Sequence, residues 1–240
     1  MPELHQFKHS AFCEKVRLVL AAKGVNYTVV EVTPGLGQFE LFRLSGQKQV
    51  PVLVDGGEVI ADSTAICLHL ERTVPEPSLL PADDSEHSRE RAQVLLLEDW
   101  ADTALAAGVR LALLRAAVAD PALRTALLPE STPGPLRSLV GAFPGDLLAG
   151  VGQVVGRSQD QQLVASLEQL AVLVAGEGHL VGARLSLADL AVAAQLSLIK
   201  FPASAGPTLA GRGVPGLADS PLLAPLFDWR DRLYAQLGRT

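Results

Sequence analysis

The sequence predicts an α/β unit with the element order βαβ-ββα, followed by an all-α domain. Within the first 75 residues, short segments rich in β-branched residues alternate with amphipathic helical stretches. From residue 89 onward the apolar residues recur at helical spacing, and a segment rich in proline and acidic residues separates the two regions. We therefore predict one domain over residues 1–75, a linker over 76–88 and a helical domain over 89–240.

The first three elements are a strand, a helix and a second strand. A short strand is predicted over 4–7 and a helix over 11–23, whose apolar residues fall on one face. Ser10 occupies the N-cap position, where its hydroxyl would lie beside the free amides at the positive end of the helix. Gly24 ends the helix, and the β-rich segment 27–32 gives a second strand that should be parallel to the first.

A short helix, a hairpin and a last helix complete the α/β unit. Residues 39–44 allow at most two helical turns, and two strands over 52–54 and 58–60 are joined by a turn with two glycines. Asp62 then caps a helix that runs through Glu71. A turn and a helix start meet here, and such a place can hold both ends of a small zwitterionic peptide.

The second region is predicted to consist of helices with one irregular segment between them. A helix rich in alanine and leucine covers 89–119 and ends at Asp120 and Pro121. Residues 129–156 are rich in proline and glycine, which indicates a loop or a broken helix. Helical spacing returns over 161–175.

Two more helices follow toward the C-terminus. Ser186 and Asp189 form a capping box at the start of a helix that runs to about Lys200. A last helix contains apolar residues at helical spacing over 226–237 and ends at Gly238. We interpret the two capping-box residues as structural and not as part of a site.

Composition and charge exclude several classes of function. The chain has 240 residues, 48% hydrophobic content and a formal net charge of −6, so it has no basic stripe for nucleic acid and no polybasic patch for anionic lipid. The N-terminus lacks the pattern of a signal peptide. The weakly charged run over 138–156 contains five glycines and a proline, and is a poor membrane span. We expect a cytoplasmic protein with no membrane and no nucleic-acid partner.

The chain contains few cysteines and histidines. Cys13 and Cys67 are too few for a disulfide framework, and Cys67 is interpreted as an inert core residue. The histidines near the N-terminus have no acidic or thiol companions at ligand spacing, so no metal site is expected. For Lys15 and Arg17 on the first helix, we favour a solvated face over an approach to the thiolate or to a domain interface.

Four short motifs occur in a characteristic order and spacing, over residues 9–17, 49–51, 62–63 and 186–189. Together with the element order, they make nearly the whole chain resemble the soluble glutathione transferases. That resemblance implies a thioredoxin-like fold for the first domain. It also implies glutathione as co-substrate, no permanently bound cofactor, and a homodimer.

The resemblance further implies which residues hold glutathione. The peptide bond before Pro51 would be cis, and the backbone of Val50 would pair with the cysteinyl part. Asp62 and Ser63 match the acid–serine pair that holds the γ-glutamyl group, and Gln49 matches a side chain near the glycyl end. Simple chemistry agrees, because a helix N-terminus favours a carboxylate and an aspartate favours an ammonium group.

Three residues compete for the position beside the glutathione sulfur. Ser10 matches the serine of serine-type transferases, and a hydroxyl at a helix start stabilises a thiolate. Phe7 lies near the place where tyrosine-type members have their phenol, but it has no hydroxyl. Cys13 takes the second position of a Cys-x-x-Cys pattern and would indicate a thiol-disulfide oxidoreductase instead. We favour Ser10 as the catalytic residue.

The electrophile would bind between the two domains, with walls at Phe12, Trp100, Leu105, Arg110 and Phe143. The sequence therefore predicts a glutathione transferase that conjugates the thiolate to small hydrophobic electrophiles. Two alternatives remain open at this point. One is the oxidoreductase with a cysteine nucleophile, and the other is a glutathione- or ligand-binding protein without turnover.

Overall fold

The structure is a computed structural model of the chain. It describes residues 1–33, 36–129, 132–142, 157–176 and 178–239. Phe143, one of the predicted pocket walls, and the glycine-rich segment that follows it through residue 156 lie outside the described residues. Within the described ranges, no helix is long and apolar enough to cross a lipid bilayer.

Among the described residues, four strands form one mixed sheet near the N-terminus. They are β1 (Glu3–Gln6), β2 (Thr28–Glu31), β3 (Val52–Asp55) and β4 (Glu58–Ala61), in the spatial order β2-β1-β3-β4. β1 and β2 are parallel, whereas β3 is antiparallel to both β1 and β4. The predicted succession of the four strands along the chain is therefore confirmed, and so is the parallel pairing of the first two.

Three helices complete this part of the chain: α1 (Ala11–Ala22), α2 (Leu36–Ser45) and α3 (Ser63–Thr73). α1 connects the two parallel strands, and α3 contacts α1 and the β3–β4 hairpin. Gly24 follows α1 with φ of +63°, a left-handed conformation that glycine adopts at little cost. The central strand β1 buries Leu4 completely in the core. We call the elements from β1 to α3 the sheet unit.

The second region begins with two helices joined by one turn of π-helix. α4 (Ser88–Trp100) runs into the π turn (Ala101–Leu105), which continues as α5 (Ala106–Ala119). The sequence predicted one uninterrupted helix over 89–119. A π turn adds a single residue to the helical repeat, and no proline marks its position, so the periodicity alone did not show it.

Helices of different lengths follow α5 in the described part of the chain. Asp120 ends α5 and caps α6 (Pro121–Ala126), accepting hydrogen bonds from two amides of its first turn at 2.8 and 3.1 Å. α7 (Gly134–Ala142) lies within the segment predicted as a loop or broken helix. α8 (Arg157–Gly176) contains the predicted helix over 161–175 and extends beyond it at both ends.

α9 (Leu187–Ile199) is the central helix of this region. All of its residues are buried, and it contacts α1, α4 and α5. The predicted capping box is present, with the amide of Ser186 donating to Oδ2 of Asp189 at 2.8 Å. The last helix, α10 (Ala224–Gln236), packs against α8 and α9. We call the elements from α4 to α10 the helical unit; one continuous hydrophobic core joins it to the sheet unit.

Candidate functional site

A cavity of about 590 Å³ opens between the sheet unit and the helical unit. On the sheet-unit side it is lined by residues that the sequence singled out, namely Ser10, Phe12, Gln49, Val50, Pro51, Asp62 and Ser63. On the helical side it is lined by Arg110, Leu113, Leu114, Ala117, Leu127, Gln195 and Leu198. The fold thus brings the predicted glutathione-binding residues and the predicted catalytic serine into one space.

Ser10 lies at the N-cap of α1, at the edge of this cavity. Its backbone is extended, with φ of −104° and ψ of 122°, and its Oγ accepts a hydrogen bond from the amide of Cys13 at 3.3 Å. The free N–H groups of the first turn and the helix dipole make this point electropositive. The hydroxyl also hydrogen-bonds to the buried thiol of Cys13, and because Ser10 lines the cavity the hydroxyl can turn to donate to an anion there.

Cys13 does not line the cavity. Its side chain is fully buried, and burial raises the pKa of its thiol above the ordinary value, although a hydrogen bond with Ser10 acts in the opposite direction. Cys67 is buried as the sequence predicted, and burial raises the pKa of its thiol to about 12. In this conformation neither thiol is poised as a thiolate at neutral pH.

The loop before β3 offers backbone groups to the cavity. The Val50–Pro51 peptide bond is cis, as the resemblance implied. Among the described residues, neither the N–H nor the C=O of Val50 takes part in a hydrogen bond. One free donor and one free acceptor on the same residue are the groups with which an extended peptide pairs, in the manner of an added strand. Gln49 is exposed beside them.

Asp62 and Ser63 form the start of α3. Asp62 is the N-cap, and its Oδ1 accepts hydrogen bonds from the amides of Thr64 and Ala65, both at 3.0 Å. Its φ of +83° is a strained conformation for a residue with a side chain. The second carboxylate oxygen has no hydrogen bond to the part of the chain that the structure describes, so it is available to a cation. Ser63 is buried, and its Oγ donates to Asp102 at 3.2 Å.

A buried ion network lies directly behind this helix start and joins the two units. Nζ of Lys15 lies 2.6 Å from Oε1 of Glu98 and 2.5 Å from Oδ2 of Asp102, and it donates to Oγ1 of Thr64 at 3.1 Å. Burial alone would lower the pKa of Lys15, but the carboxylates of Asp102 and Glu98 raise it above the usual value. Burial also raises the pKa of Asp102, although the ammonium group of Lys15 lowers it. The network therefore fixes the position of α3 relative to α4 and the π turn.

The prediction that Lys15 and Arg17 occupy a solvated face is wrong, because both side chains are buried. Nε of Arg17 donates to Oε2 of Glu14 at 2.6 Å, and another of its nitrogens donates to Oε1 of Gln6 at 2.5 Å. For Lys15 the carboxylates come from the helical unit, more than 80 residues away in the chain. Helical periodicity within α1 contains no information about such partners.

The helical side of the cavity combines apolar side chains with one charged side chain, that of Arg110. Four residues at helical spacing form a single face of α5, namely Arg110, Leu113, Leu114 and Ala117. The guanidinium carbon of Arg110 lies 5.5 Å from the centre of the Phe12 ring, within the range of a cation–π contact. Its Nε donates to the carbonyl of Ala106 at 3.2 Å.

Trp100 and Leu105, which were also predicted as pocket walls, do not line the cavity. Leu105 is 2% exposed, Trp100 is partly buried, and both pack in the core around α9. Leu105 falls on the buried stripe of the helix together with Val109 and Ala112. The cavity faces the adjacent stripe, which begins with Arg110.

Gln195 is a site residue that the sequence reasoning missed. It belongs to α9, is 1% exposed and lines the cavity, yet its amide has no hydrogen bond to any described residue. The amide opens onto the cavity, so it is a group to which a ligand can hydrogen-bond. The signal that could have found it is a glutamine within a helix composed mostly of alanine, leucine and valine.

Comparison with known proteins agrees with this geometry. Residues 4–78 match the family model described as the glutathione S-transferase N-terminal domain. Glutathione S-transferase Z1 of Arabidopsis thaliana is 39% identical over 84 residues, which are 34% of this chain and 38% of that protein. Maleylacetoacetate isomerase of Rattus norvegicus is 38% identical over 103 residues, which are 41% of this chain and 46% of that protein. The matches thus span less than half of the length of these curated relatives.

The likeness to solved structures extends further along the chain. A glutathione S-transferase from Rhodospirillum rubrum F11 matches with a TM-score of 0.65 at 26% identity, covering 98% of this chain and 88% of that one. The shared fold therefore includes the helical unit as well as the sheet unit. The resemblance inferred from the four motifs, and the fold class that it implied, are confirmed.

Proposed function

Because residues 4–78 are a glutathione S-transferase N-terminal domain, in a chain with the fold of the soluble glutathione S-transferases, we propose that the protein is a glutathione transferase. It binds glutathione in the cavity, ionises the thiol beside Ser10 and delivers the thiolate to a small hydrophobic electrophile. The observation that carries this proposal is the position of Ser10. Its hydroxyl, at the positive end of α1, lines the same cavity as Val50 and Asp62.

Each polar group of glutathione has a complementary group on the sheet-unit side. The free oxygen of Asp62 suits the γ-glutamyl ammonium group, and the amide of Ser63, which Asp62 does not occupy, suits the neighbouring carboxylate at the positive end of α3. The N–H and C=O of Val50 pair with the cysteinyl residue, which directs the thiol toward the N-terminus of α1. Lys48 and Gln49, which also line the cavity, suit the glycyl carboxylate.

Ionisation of the thiol is the step that Ser10 assists. A cysteine thiol has an ordinary pKa of about 8.5, so only a few per cent is thiolate at neutral pH. Lowering that pKa by about two units requires about 2.7 kcal/mol, which a hydroxyl hydrogen bond together with a helix dipole can supply. The thiolate then attacks the electrophilic carbon. A carbon–sulfur bond forms, and the leaving group departs with its electron pair.

The alternatives differ in how well the geometry supports them. A thiol-disulfide oxidoreductase needs an accessible thiolate at Cys13, and the burial and raised pKa of that thiol count against it. A matched relative is named maleylacetoacetate isomerase, so an isomerisation that depends on glutathione is the alternative chemistry compatible with the same thiolate. A ligand-binding protein without turnover is the remaining alternative.

The proposal also includes the organisation of the molecule. Residues 1–75 act as the glutathione-binding domain, 76–88 as the linker and 89–240 as the domain that supplies the electrophile wall. The position of the cavity between the sheet unit and the helical unit supports this division of roles. We further propose a cytoplasmic location, because the cytoplasm keeps glutathione in the thiol form. As the resemblance to the family implies, the protein would be a homodimer with no permanently bound cofactor.

Conjugation of glutathione to 1-chloro-2,4-dinitrobenzene tests the role of Ser10. We expect Ser10→Ala to lower kcat/KM roughly 10-fold below neutral pH, since the hydroxyl supplies about one of the two pKa units and the helix dipole remains. The midpoint of the pH–rate profile should rise by about one unit. Cys13→Ala, the control in the same helical turn, should change kcat/KM less than about threefold.

Folding must be separated from catalysis, because Ser10 also caps α1. Loss of a capping side chain costs about 1 kcal/mol, so thermal unfolding of Ser10→Ala is compared with that of Ser10→Asn, which retains a cap acceptor. Unchanged conjugation in Ser10→Ala, with loss in Cys13→Ala, would show that the assigned mechanism is wrong. Retention on immobilised glutathione without turnover of any electrophile would identify a binding protein.

A further inference from the structure

We infer that the electrophile carries a carboxylate and that Arg110 binds it, an inference that rests on the proposed transferase function. Arg110 is exposed and lines the cavity, near the ring of Phe12. Its Nε is used by the carbonyl of Ala106 within the same helix, which leaves the two terminal nitrogens of the guanidinium group as donors. No carboxylate of a described residue lies within ion-pair distance of it.

The geometry of Arg110 suits recognition of a planar anion. The guanidinium group presents paired donors that match the two oxygens of a carboxylate. Contact with the Phe12 ring at 5.5 Å, together with the bond from Nε to the helix backbone, holds the group in one orientation. A cation held in this way, before any substrate is present, loses little side-chain entropy when an anion binds.

Glutathione itself does not account for Arg110. Its ammonium group and two carboxylates are matched on the sheet-unit side by Asp62, the amide of Ser63 at the start of α3, and Lys48. Arg110 belongs to α5, on the opposite side of the cavity. The charge of Arg110 is therefore left for the second substrate.

The surroundings of Arg110 define the rest of that substrate. The same face of α5 continues with apolar side chains, and Leu127 and Leu198 extend this surface. Gln195, buried and without a hydrogen bond to any described residue, adds a neutral polar group on α9. The cavity thus fits an amphiphilic electrophile: a carboxylate at Arg110, an apolar body along α5, and a polar atom such as a carbonyl or nitro oxygen at Gln195.

A matched acid and ester test the inference. The substrates are 4-chloro-3,5-dinitrobenzoate and its methyl ester; in both, the thiolate bonds to the carbon that bears chlorine and chloride leaves with the electron pair. We expect Arg110→Gln to raise KM at least about tenfold more for the acid than for the ester. Arg110→Lys should restore part of the acid preference. Arg89→Gln, the same charge change at an exposed residue of α4 away from the cavity, should have no effect.

Binding of 3,5-dinitrobenzoate, which has no leaving group, separates this inference from the proposed function. Calorimetric titration is expected to show that the wild type and Ser10→Ala bind the acid more tightly than its methyl ester. In Arg110→Gln the ratio of the dissociation constant for the ester to that for the acid should fall about tenfold. Equal affinity of the wild type for acid and ester would overturn the inference even if conjugation is observed. An equal fall in turnover of acid and ester would also overturn it, because Arg110 would then act on the thiolate instead of the carboxylate.

Discussion

At the scale of a single residue, Gln195 places an amide on the helical side of the cavity. The side chain belongs to α9 and lines the cavity, without a hydrogen bond to the described part of the chain. Because the amide opens onto the cavity, water or a ligand can hydrogen-bond to it. An apolar side chain at this position would remove that hydrogen bond.

We expect Gln195→Met to change the free energy of unfolding by less than about 1 kcal/mol and to weaken binding of 3,5-dinitrobenzoate. Urea denaturation measures the first effect and calorimetric titration the second. Leu198→Met, on the same helix and lining the same cavity, is the control, and it should change stability by less than about 1.5 kcal/mol. A clear loss of stability in Gln195→Met would show that the amide has a partner in the folded protein.

Residue-level prediction from sequence succeeded where the chemistry is local. Ser10 and Asp62 are caps of their own helices, so their positions follow from the neighbouring residues. Lys15 and Gln195 were misjudged or missed because their environment is formed by other elements of the tertiary structure. A polar side chain in a helix has no local signature that distinguishes a solvated position from one buried in an interface.

At the scale of elements, α9 shows how one carboxylate can hold a helix start and a preceding loop together. Oδ2 of Asp189 accepts bonds from the amide and hydroxyl of Ser186, both at 2.8 Å, as the capping box predicted. Oδ1 also accepts a bond from the amide of Leu180 at 2.7 Å. That third bond was not predictable, since it depends on the path of the loop before the helix.

We expect Asp189→Ala to lower the free energy of unfolding by roughly 3 kcal/mol or more, because two buried amides lose a charged acceptor. Chemical denaturation measures the change. Asp160→Ala removes a surface ion pair with Arg115 and serves as the control, with an expected loss below about 1 kcal/mol. Equal losses in the two variants would contradict the role given to Asp189.

The helices around the cavity could be located from sequence but not oriented. The long helix over 89–119 was predicted as one element, and the π turn within it was not. The prediction of the cavity walls therefore assumes a regular α-helix, in which the π turn does not shift the faces. Arg110 falls on the face that lines the cavity, whereas Leu105 falls in the core.

At the scale of the whole molecule, the ion network around Lys15 ties the sheet unit to the helical unit. Lys15 belongs to α1, whereas Glu98 and Asp102 belong to α4 and the π turn. Removal of one partner from a buried network leaves uncompensated charge. The lysine therefore influences both the joint stability of the units and the position of Ser63, which donates to Asp102.

We expect Lys15→Met to lower the free energy of unfolding at neutral pH by roughly 3–5 kcal/mol. Burial raises the pKa of Asp102. In the variant, ionisation of this carboxylate therefore lowers the free energy of unfolding at neutral pH. That loss is regained as pH falls toward the unfolded pKa of about 4. In the wild type the pKa of Lys15 is raised instead. Its contribution to the free energy of unfolding is therefore full below about pH 10 and is lost as pH rises through the folded pKa. Urea denaturation across this pH range measures both trends.

The double variant Lys15→Met with Asp102→Asn provides the matched comparison. It removes one of the two carboxylates left without a cation, so it should recover part of the stability lost at neutral pH. A loss in Lys15→Met that is the same at pH 5 and pH 7, with no recovery in the double variant, would show that packing and not charge explains the effect.

The backbone of Asp62 adopts a conformation that glycine would occupy at lower free energy. Strain of this kind costs about 1–3 kcal/mol, whereas an aspartate cap is better than a glycine cap by roughly a few tenths of a kcal/mol. A glycine at this position would therefore make the fold more stable. It would also remove the negative charge that Asp62 places at the mouth of the cavity, so that charge and the greater stability exclude each other at this residue.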